Sequence, residues 1–127
     1  GKDYLDEVYG DKNIYSTVRD LLKLDRARNK PGFLEPALLK QVYTGYSNEH
    51  KGKKNYGLGI RMVNWETGQN FYFHNGWWHG NTSAYITLQK EHVTILALSN
   101  KMNKSTYNVK KLAPLFGDYP FETDTEE

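Results

Sequence analysis

Apolar residues recur every three to four positions in the first third of the chain, the spacing of an amphipathic helix. They predict one helix over residues 16–29, capped by Ser16 or Thr17, and a second, shorter helix that opens at Pro36 and closes at Gly45. Helical spacing returns near Ser105, which predicts a last helix that ends before residue 117.

Between these helical regions the apolar and polar positions alternate, which is the period of a β-strand. The sequence predicts strands at residues 56–65, 69–74, 83–89 and 93–99. The connections at 66–68 and 90–92 have the composition of tight turns, so neighbouring strands should be antiparallel. Residues 93–98 are almost entirely apolar, which predicts a central strand covered by helices. The expected fold is α+β, with an antiparallel sheet of about four strands flanked by helices.

The length and composition fit a single domain. With 127 residues, 38% of them hydrophobic, the chain can form one core but not two domains of ordinary size. We assign residues 1–12 to a lead-in segment, 13–121 to the α+β domain and 122–127 to an acidic tail. A formal charge of +2 gives no reason to expect nucleic acid, and the longest apolar run is far shorter than a membrane span of about 20 residues. No cysteine is present, which excludes disulfides and thiolate metal sites.

Residues 69–83 have an unusual composition, because they combine five aromatic side chains with two histidines and two glycines. Strand alternation places Phe71 and Phe73 on one face, as core residues, and leaves Tyr72 exposed together with one tryptophan. An exposed aromatic surface would suit sugars or single-stranded nucleic acid, which is an alternative interpretation. The four histidines, at positions 50, 74, 79 and 92, lack the spacing of metal ligands and no carboxylates cluster with them, so we predict no metal site.

Three short motifs occur along the chain in a fixed order. Gly10-Asp11 precedes Ser-Thr-Val-Arg-Asp-Leu-Leu at residues 16–22, Tyr-Gly-Leu-Gly-Ile follows at 56–60, and His-Asn-Gly follows at 74–76. Ser99-Asn100 then ends the next predicted hairpin. In these residues the chain resembles the C-terminal part of the serine β-lactamase and penicillin-binding-protein superfamily, closest to the class C β-lactamase-like esterases and D-Ala-D-Ala peptidases. The resemblance covers roughly residues 10–116 and implies a partial β-lactamase/transpeptidase-like fold.

The resemblance implies a role for each residue of the third motif and for the tryptophans after it. His74 would replace the basic residue that meets the substrate carboxylate or the hydrogen-bond network of the site, and Asn75 would line the cleft. Gly76 would leave room for substrate to lie along the strand. The backbone N–H of Trp77 would be an oxyanion-hole donor, and Trp77 or Trp78 would bound the acyl pocket. The implied substrates are β-lactams, peptides or esters, and no cofactor is implied.

The nucleophile of that superfamily is missing from this sequence. It comes from a Ser-x-x-Lys motif, and none of the five serines of this chain has lysine three positions later. We therefore expect the C-terminal portion of a larger serine hydrolase, inactive on its own. The alternative is a non-catalytic module that binds peptide or glycan, or that self-associates. Loss of part of the fold would expose a sheet edge or face, which predicts self-association. The residues leave the compartment open, whereas the resemblance implies a bacterial protein of the periplasm or the extracellular space.

Overall fold

A computed structural model of the chain describes residues 3–6, 8, 10, 12–48 and 52–121. The acidic tail predicted at 122–127 and part of the lead-in predicted at 1–12 lie outside the described residues. The chain forms helices α1 (Val18–Arg28) and α2 (Pro36–Val42) and, near its end, a 3₁₀ helix (Lys104–Leu115). The strands are β1 (Lys54–Tyr56), β2 (Arg61–Asn64), β3 (Asn70–Trp78), β4 (Asn81–Leu88) and β5 (Val93–Ser99).

The strands form one antiparallel sheet in the order β1-β2-β3-β4-β5, so each strand pairs with the next one in the chain. This arrangement confirms the predicted α+β fold with short antiparallel connections. The predicted start of α1 is also found, since the Thr17 side chain accepts a hydrogen bond from the backbone N–H of Asp20 (3.2 Å) and the helix begins at the next residue, Val18.

The prediction of a single strand at 56–65 is wrong, because a tight turn divides it into β1 and β2. The N–H of Gly57 donates to the carbonyl of Ile60 (2.7 Å), and Gly59 has a φ of 71°, a value that glycine adopts without strain. A Cβ atom on Gly57 would lie 2.1 Å from the carbonyl oxygen of Val42 in α2. The two glycines therefore turn the chain back under α2, and the sheet has five strands rather than about four.

A two-residue turn joins β3 to β4. His79 and Gly80 both have positive φ, 43° and 81°, which defines a type I′ turn. Its register places Trp78 opposite Asn81. The strand predicted to end at residue 74 therefore continues through Trp78, because the reversal comes only at this turn.

The two faces of the sheet are covered by different parts of the chain. On one face Phe71 is 1% exposed and packs in a cluster with residues from β4 and from the C-terminal segment: Ile86, Leu88, Ala113 and Tyr119. Phe73 packs against the same cluster, so the prediction of both phenylalanines as core residues is confirmed. On the other face the predicted exposure of Tyr72 is wrong. Tyr72 is 7% exposed because Tyr43, just after α2, packs edge-on against its ring.

Strand β5 has the predicted bounds but not the predicted position, since it is the outer strand of the sheet opposite β1. Its side chains are covered by α1 on one face and the 3₁₀ helix on the other, which explains an apolar sequence without a second neighbouring strand. The α1 contact includes the buried Asp25 carboxylate, which accepts hydrogen bonds from Tyr85 (2.5 Å) and Thr94 (2.8 Å). In the described part of the chain no helix has the length and apolar character needed to cross a bilayer.

Candidate active site

The second half of β3 pairs with a strand of the described sheet on one side. Strand β2 pairs with β3 only as far as Arg61 opposite Phe73, whereas β4 stays paired with β3 up to Trp78. Over residues 74–78, β4 is the one strand of the described sheet that pairs with β3. We call this segment the open edge.

The hairpin register determines which backbone groups face outward there. In a two-residue hairpin the residues flanking the turn form a hydrogen-bonded pair, here Trp78 with Asn81, and such pairs recur at every second residue. Gly76 and His74 thus direct their backbone groups at β4. The N–H and C=O of Asn75 and of Trp77 point away from β4, into the open edge.

His74 uses both of its ring nitrogens within the chain. Its Nδ1 lies 2.8 Å from the backbone oxygen of Asn75, and its Nε2 lies 2.8 Å from the hydroxyl oxygen of Tyr56. A carbonyl oxygen only accepts, so Nδ1 carries a proton in this geometry. His74 is therefore hydrogen-bonded at both ring nitrogens, to the backbone of Asn75 and to Tyr56.

Gly76 is surrounded by protein on the β4 side. A Cβ atom at this position would lie 2.5 Å from the Oγ of Ser83, the residue opposite Gly76 in β4. Its carbonyl accepts a hydrogen bond from the hydroxyl of Tyr107 in the 3₁₀ helix (3.1 Å). The absence of a side chain at Gly76 therefore has a packing reason, in addition to the expected room for substrate.

The two tryptophans have different environments. Trp77 is 66% exposed beside the open edge, as a residue that bounds a pocket would be. Trp78 instead donates from Nε1 to the carboxylate of Asp6 (3.0 Å), and the ammonium of Lys12 lies 4.5 Å from the centre of its ring. Trp78 therefore holds the N-terminal segment against the hairpin, a contact between residues 72 positions apart that local sequence pattern does not reveal.

Asp6 also binds His79 in the β3–β4 turn, with 2.8 Å between its carboxylate and Nε2. Hydrogen bonds from the backbone N–H of Asp3, then from Trp78 and His79, hold the pKa of Asp6 below its ordinary value of 3.8, while burial opposes them. Of the four histidines considered as metal ligands, His74 and His79 thus have separate hydrogen-bond partners, and His50 lies outside the described residues. Among the described residues, no three histidine or carboxylate side chains lie close enough to hold a metal ion.

A cavity lies on the β1–β2 side of the sheet. Its volume is about 610 Å³, and Tyr56, Arg61 and Phe73 line it together with Lys53 and Lys54. The cavity therefore adjoins the beginning of the open edge, where the hydroxyl of Tyr56 reaches His74. Tyr56 was assigned from sequence only as the first residue of the Tyr-Gly-Leu-Gly-Ile motif, and that motif was the signal that pointed to it.

The chain is similar in sequence to known proteins. A family model described as Beta-lactamase matches residues 2–114. The protein "Penicillin-binding protein 4*" of Bacillus subtilis (strain 168) is 26% identical over 104 residues, a match that covers 82% of this chain and 23% of that relative. The chain thus spans about a quarter of the length of the curated relative it matches.

Proposed function

We propose that this chain, which belongs to the beta-lactamase family, forms one wall of the active site of a serine hydrolase and takes its nucleophile from a segment outside these residues. The observation that carries this proposal is the open edge at 74–78, which begins at His74 and directs the N–H of Trp77 outward. The reaction is acyl transfer from a β-lactam, a peptide or an ester to a serine.

The chemistry of acyl transfer assigns a task to each group of the open edge. The oxygen of the attacked carbonyl becomes negative and is stabilised by N–H donors fixed in advance, a role suited to the N–H of Trp77. Gly76 keeps the neighbouring backbone free of a side chain, and the Asn75 side chain lines the cleft. His74 holds the start of the edge through its two hydrogen bonds.

The missing nucleophile makes this proposal testable by covalent labelling. No serine of the chain is followed by lysine three residues later, so a fluorescent penicillin or an activated ester should leave the isolated chain unlabelled. A longer polypeptide that joins this chain to a Ser-x-x-Lys segment should be labelled at that serine. Stoichiometric labelling of the isolated chain would refute the external nucleophile.

Substitution of His74 tests whether this strand contributes to acyl transfer. In the longer polypeptide, His74→Ala should lower acylation turnover about 10- to 1000-fold, the range for loss of a preorganised contact in an acyl-transfer site. His92→Ala is the matched control, because His92 is exposed in the β4–β5 turn and away from the open edge. Equal turnover in both variants would exclude His74 from the site.

The exposure of Trp77 favours a second candidate function, a binding module without chemistry. A 66% exposed tryptophan beside backbone groups that point away from β4 is suited to contact a peptide or glycan. Titration of the isolated chain with peptidoglycan fragments, followed by tryptophan fluorescence, separates the two functions. Tight binding by the isolated chain that is lost in Trp77→Ala supports the binding module. An unchanged fluorescence supports a strand that acts only as part of the hydrolase active site.

The outer edge of β5 is the surface we propose for self-association. It is a seven-residue strand of the sequence Val-Thr-Ile-Leu-Ala-Leu-Ser with no charge, proline or neighbouring strand on its outer side among the described residues. A second copy can extend the sheet there. Sedimentation velocity should show a dimer that Leu98→Lys weakens, and a monomer at high concentration would contradict it.

A further inference from the structure

The Tyr56 side chain extends from the end of β1 to His74 in β3. Tyr56 pairs with Arg61, and Arg61 pairs with Phe73, so the last residue of β1 and the first residue of β2 lie level with Phe73. The next residue of β3 is His74, which has no β2 partner. The Tyr56 side chain reaches across this gap, with its ring perpendicular to the imidazole (89°) and 6.1 Å from it, centre to centre.

We propose that Tyr56 is a positioning residue that holds His74 in the Nδ1–H tautomer and thereby keeps its ring bound to the carbonyl of Asn75. The carbonyl requires a proton on Nδ1, so the neutral ring has a lone pair on Nε2. The Tyr56 hydroxyl, 2.8 Å away, donates to that lone pair. The tautomer of a histidine is set by the hydrogen bonds of its two nitrogens, and here both partners require the same one.

The arrangement changes what the open edge offers to a ligand. The carbonyl of Asn75 is already engaged by His74, so this residue offers mainly its N–H. Both the N–H and the C=O of Trp77 point away from β4. A ligand is therefore directed to Trp77, which favours a compact acyl donor with one amide over a long extended peptide that would pair at both residues. This consequence rests on the proposed function, whereas the tautomer itself does not.

Nitrogen NMR of the complete 127-residue chain tests the tautomer without any need for activity. Long-range ¹H–¹⁵N correlation at pH 8 should show a protonated Nδ1 and an unprotonated Nε2 for His74. In Tyr56→Phe, the Nε2 signal should shift towards the Nε2–H form that a free imidazole favours. Tyr46→Phe is the matched control, because it removes a hydroxyl that binds the Gln41 carbonyl and should leave His74 unchanged.

The outcomes separate this inference from the proposed function. An Nε2–H tautomer in the unmodified chain, or the same Nδ1–H tautomer in Tyr56→Phe, would overturn the role of Tyr56. Loss of the NMR signals of the core residues Trp65 and Phe71 would reveal a folding defect in Tyr56→Phe. In that case Tyr56→Gln, which retains a hydrogen-bond donor, should show the Nδ1–H tautomer of His74. In the longer polypeptide, Tyr56→Phe should slow acylation about 10-fold, with KM nearly unchanged. If that polypeptide is not acylated at all, the proposed function fails while the NMR result still decides the role of Tyr56.

Discussion

The two halves of β3 differ in the strands that pair with them and in the burial of their side chains. Residues 70–73 have β2 on one side and β4 on the other, and their phenylalanines lie in the core. Residues 74–78 pair with β4 alone among the strands of the described sheet, and the backbone groups of Asn75 and Trp77 point away from β4. The strand is thus a structural element in its first half and a candidate binding edge in its second.

The side chains of the two halves also differ in exposure, as two positions on the same face of β3 show. Phe71 and Trp77 are three steps of strand alternation apart and lie on the same face, yet Phe71 is 1% and Trp77 66% exposed. The C-terminal segment explains the difference, since the Phe121 ring lies 4.8 Å from that of Phe71, centre to centre. Within the described part of the chain Trp77 lacks such cover, so strand alternation alone does not decide which aromatic residues are core.

Truncation in the buried half should have the largest effect on stability. We expect Phe71→Ala to lower the free energy of unfolding by about 3–5 kcal/mol, because it leaves a cavity among Ile86, Leu88 and Tyr119. Urea unfolding monitored by circular dichroism measures the loss. A decrease below about 1 kcal/mol would mean that this half of β3 is not the centre of the core.

Most helices and strands could be predicted from sequence because the patterns that specify them lie within short segments. The Thr17 cap and the apolar sequence of β5 are properties of short segments, and both elements lie close to where the sequence predicted them. The turn at Gly57 could not be predicted in this way, because it depends on contact with the carbonyl of Val42. The position of β5 at the edge of the sheet likewise depends on what packs over it rather than on its own residues.

The candidate site could be considered from sequence for a similar reason. The motif at residues 74–76 pointed to strand β3, since a short motif carries its own signal. The bond between Tyr56 and His74 joins residues 18 positions apart, and that between Asp6 and Trp78 joins residues 72 apart. Neither pairing leaves a periodic pattern, so only the folded chain reveals that Trp78 is an anchor while Trp77 is exposed.

A substitution at Gly76 tests whether glycine is needed there for packing against β4 or for the approach of a substrate. Gly76→Ala should lower the free energy of unfolding by about 1 kcal/mol, because the new Cβ would meet the Ser83 Oγ, which has to rotate away. Adding Ser83→Ala removes that oxygen and should restore most of the loss. If the double variant regains stability but the longer polypeptide that carries it is still not acylated, the absence of a side chain at Gly76 is also needed for substrate to approach the strand.

Acidification should loosen the end of the hairpin and leave the buried half of β3 intact. The pKa of Asp6 is lowered in the folded chain, so its contacts stabilise the fold fully above the ordinary value of 3.8, and that stabilisation is lost as the pH falls through the lowered value. The fluorescence of Trp78 should therefore change below pH 4 before the far-ultraviolet circular dichroism does. Asp6→Asn should remove this early change, and coincident transitions in the unmodified chain would contradict the local origin.

The smallest effect on stability should come from Trp77, and that makes it the most informative position for function. Trp77→Ala removes a side chain that is 66% exposed, so we expect the free energy of unfolding to change by no more than about 0.5 kcal/mol. The alanine keeps the backbone N–H, so acylation by the longer polypeptide should fall only as far as the indole contributes to binding. Trp77→Pro removes the N–H itself, and a strand tolerates proline where that N–H faces an unpaired edge. A large loss of acylation in Trp77→Pro but not in Trp77→Ala would assign the oxyanion contact to the backbone, whereas strong unfolding by proline would show that this N–H bonds to β4 and that the edge is not open.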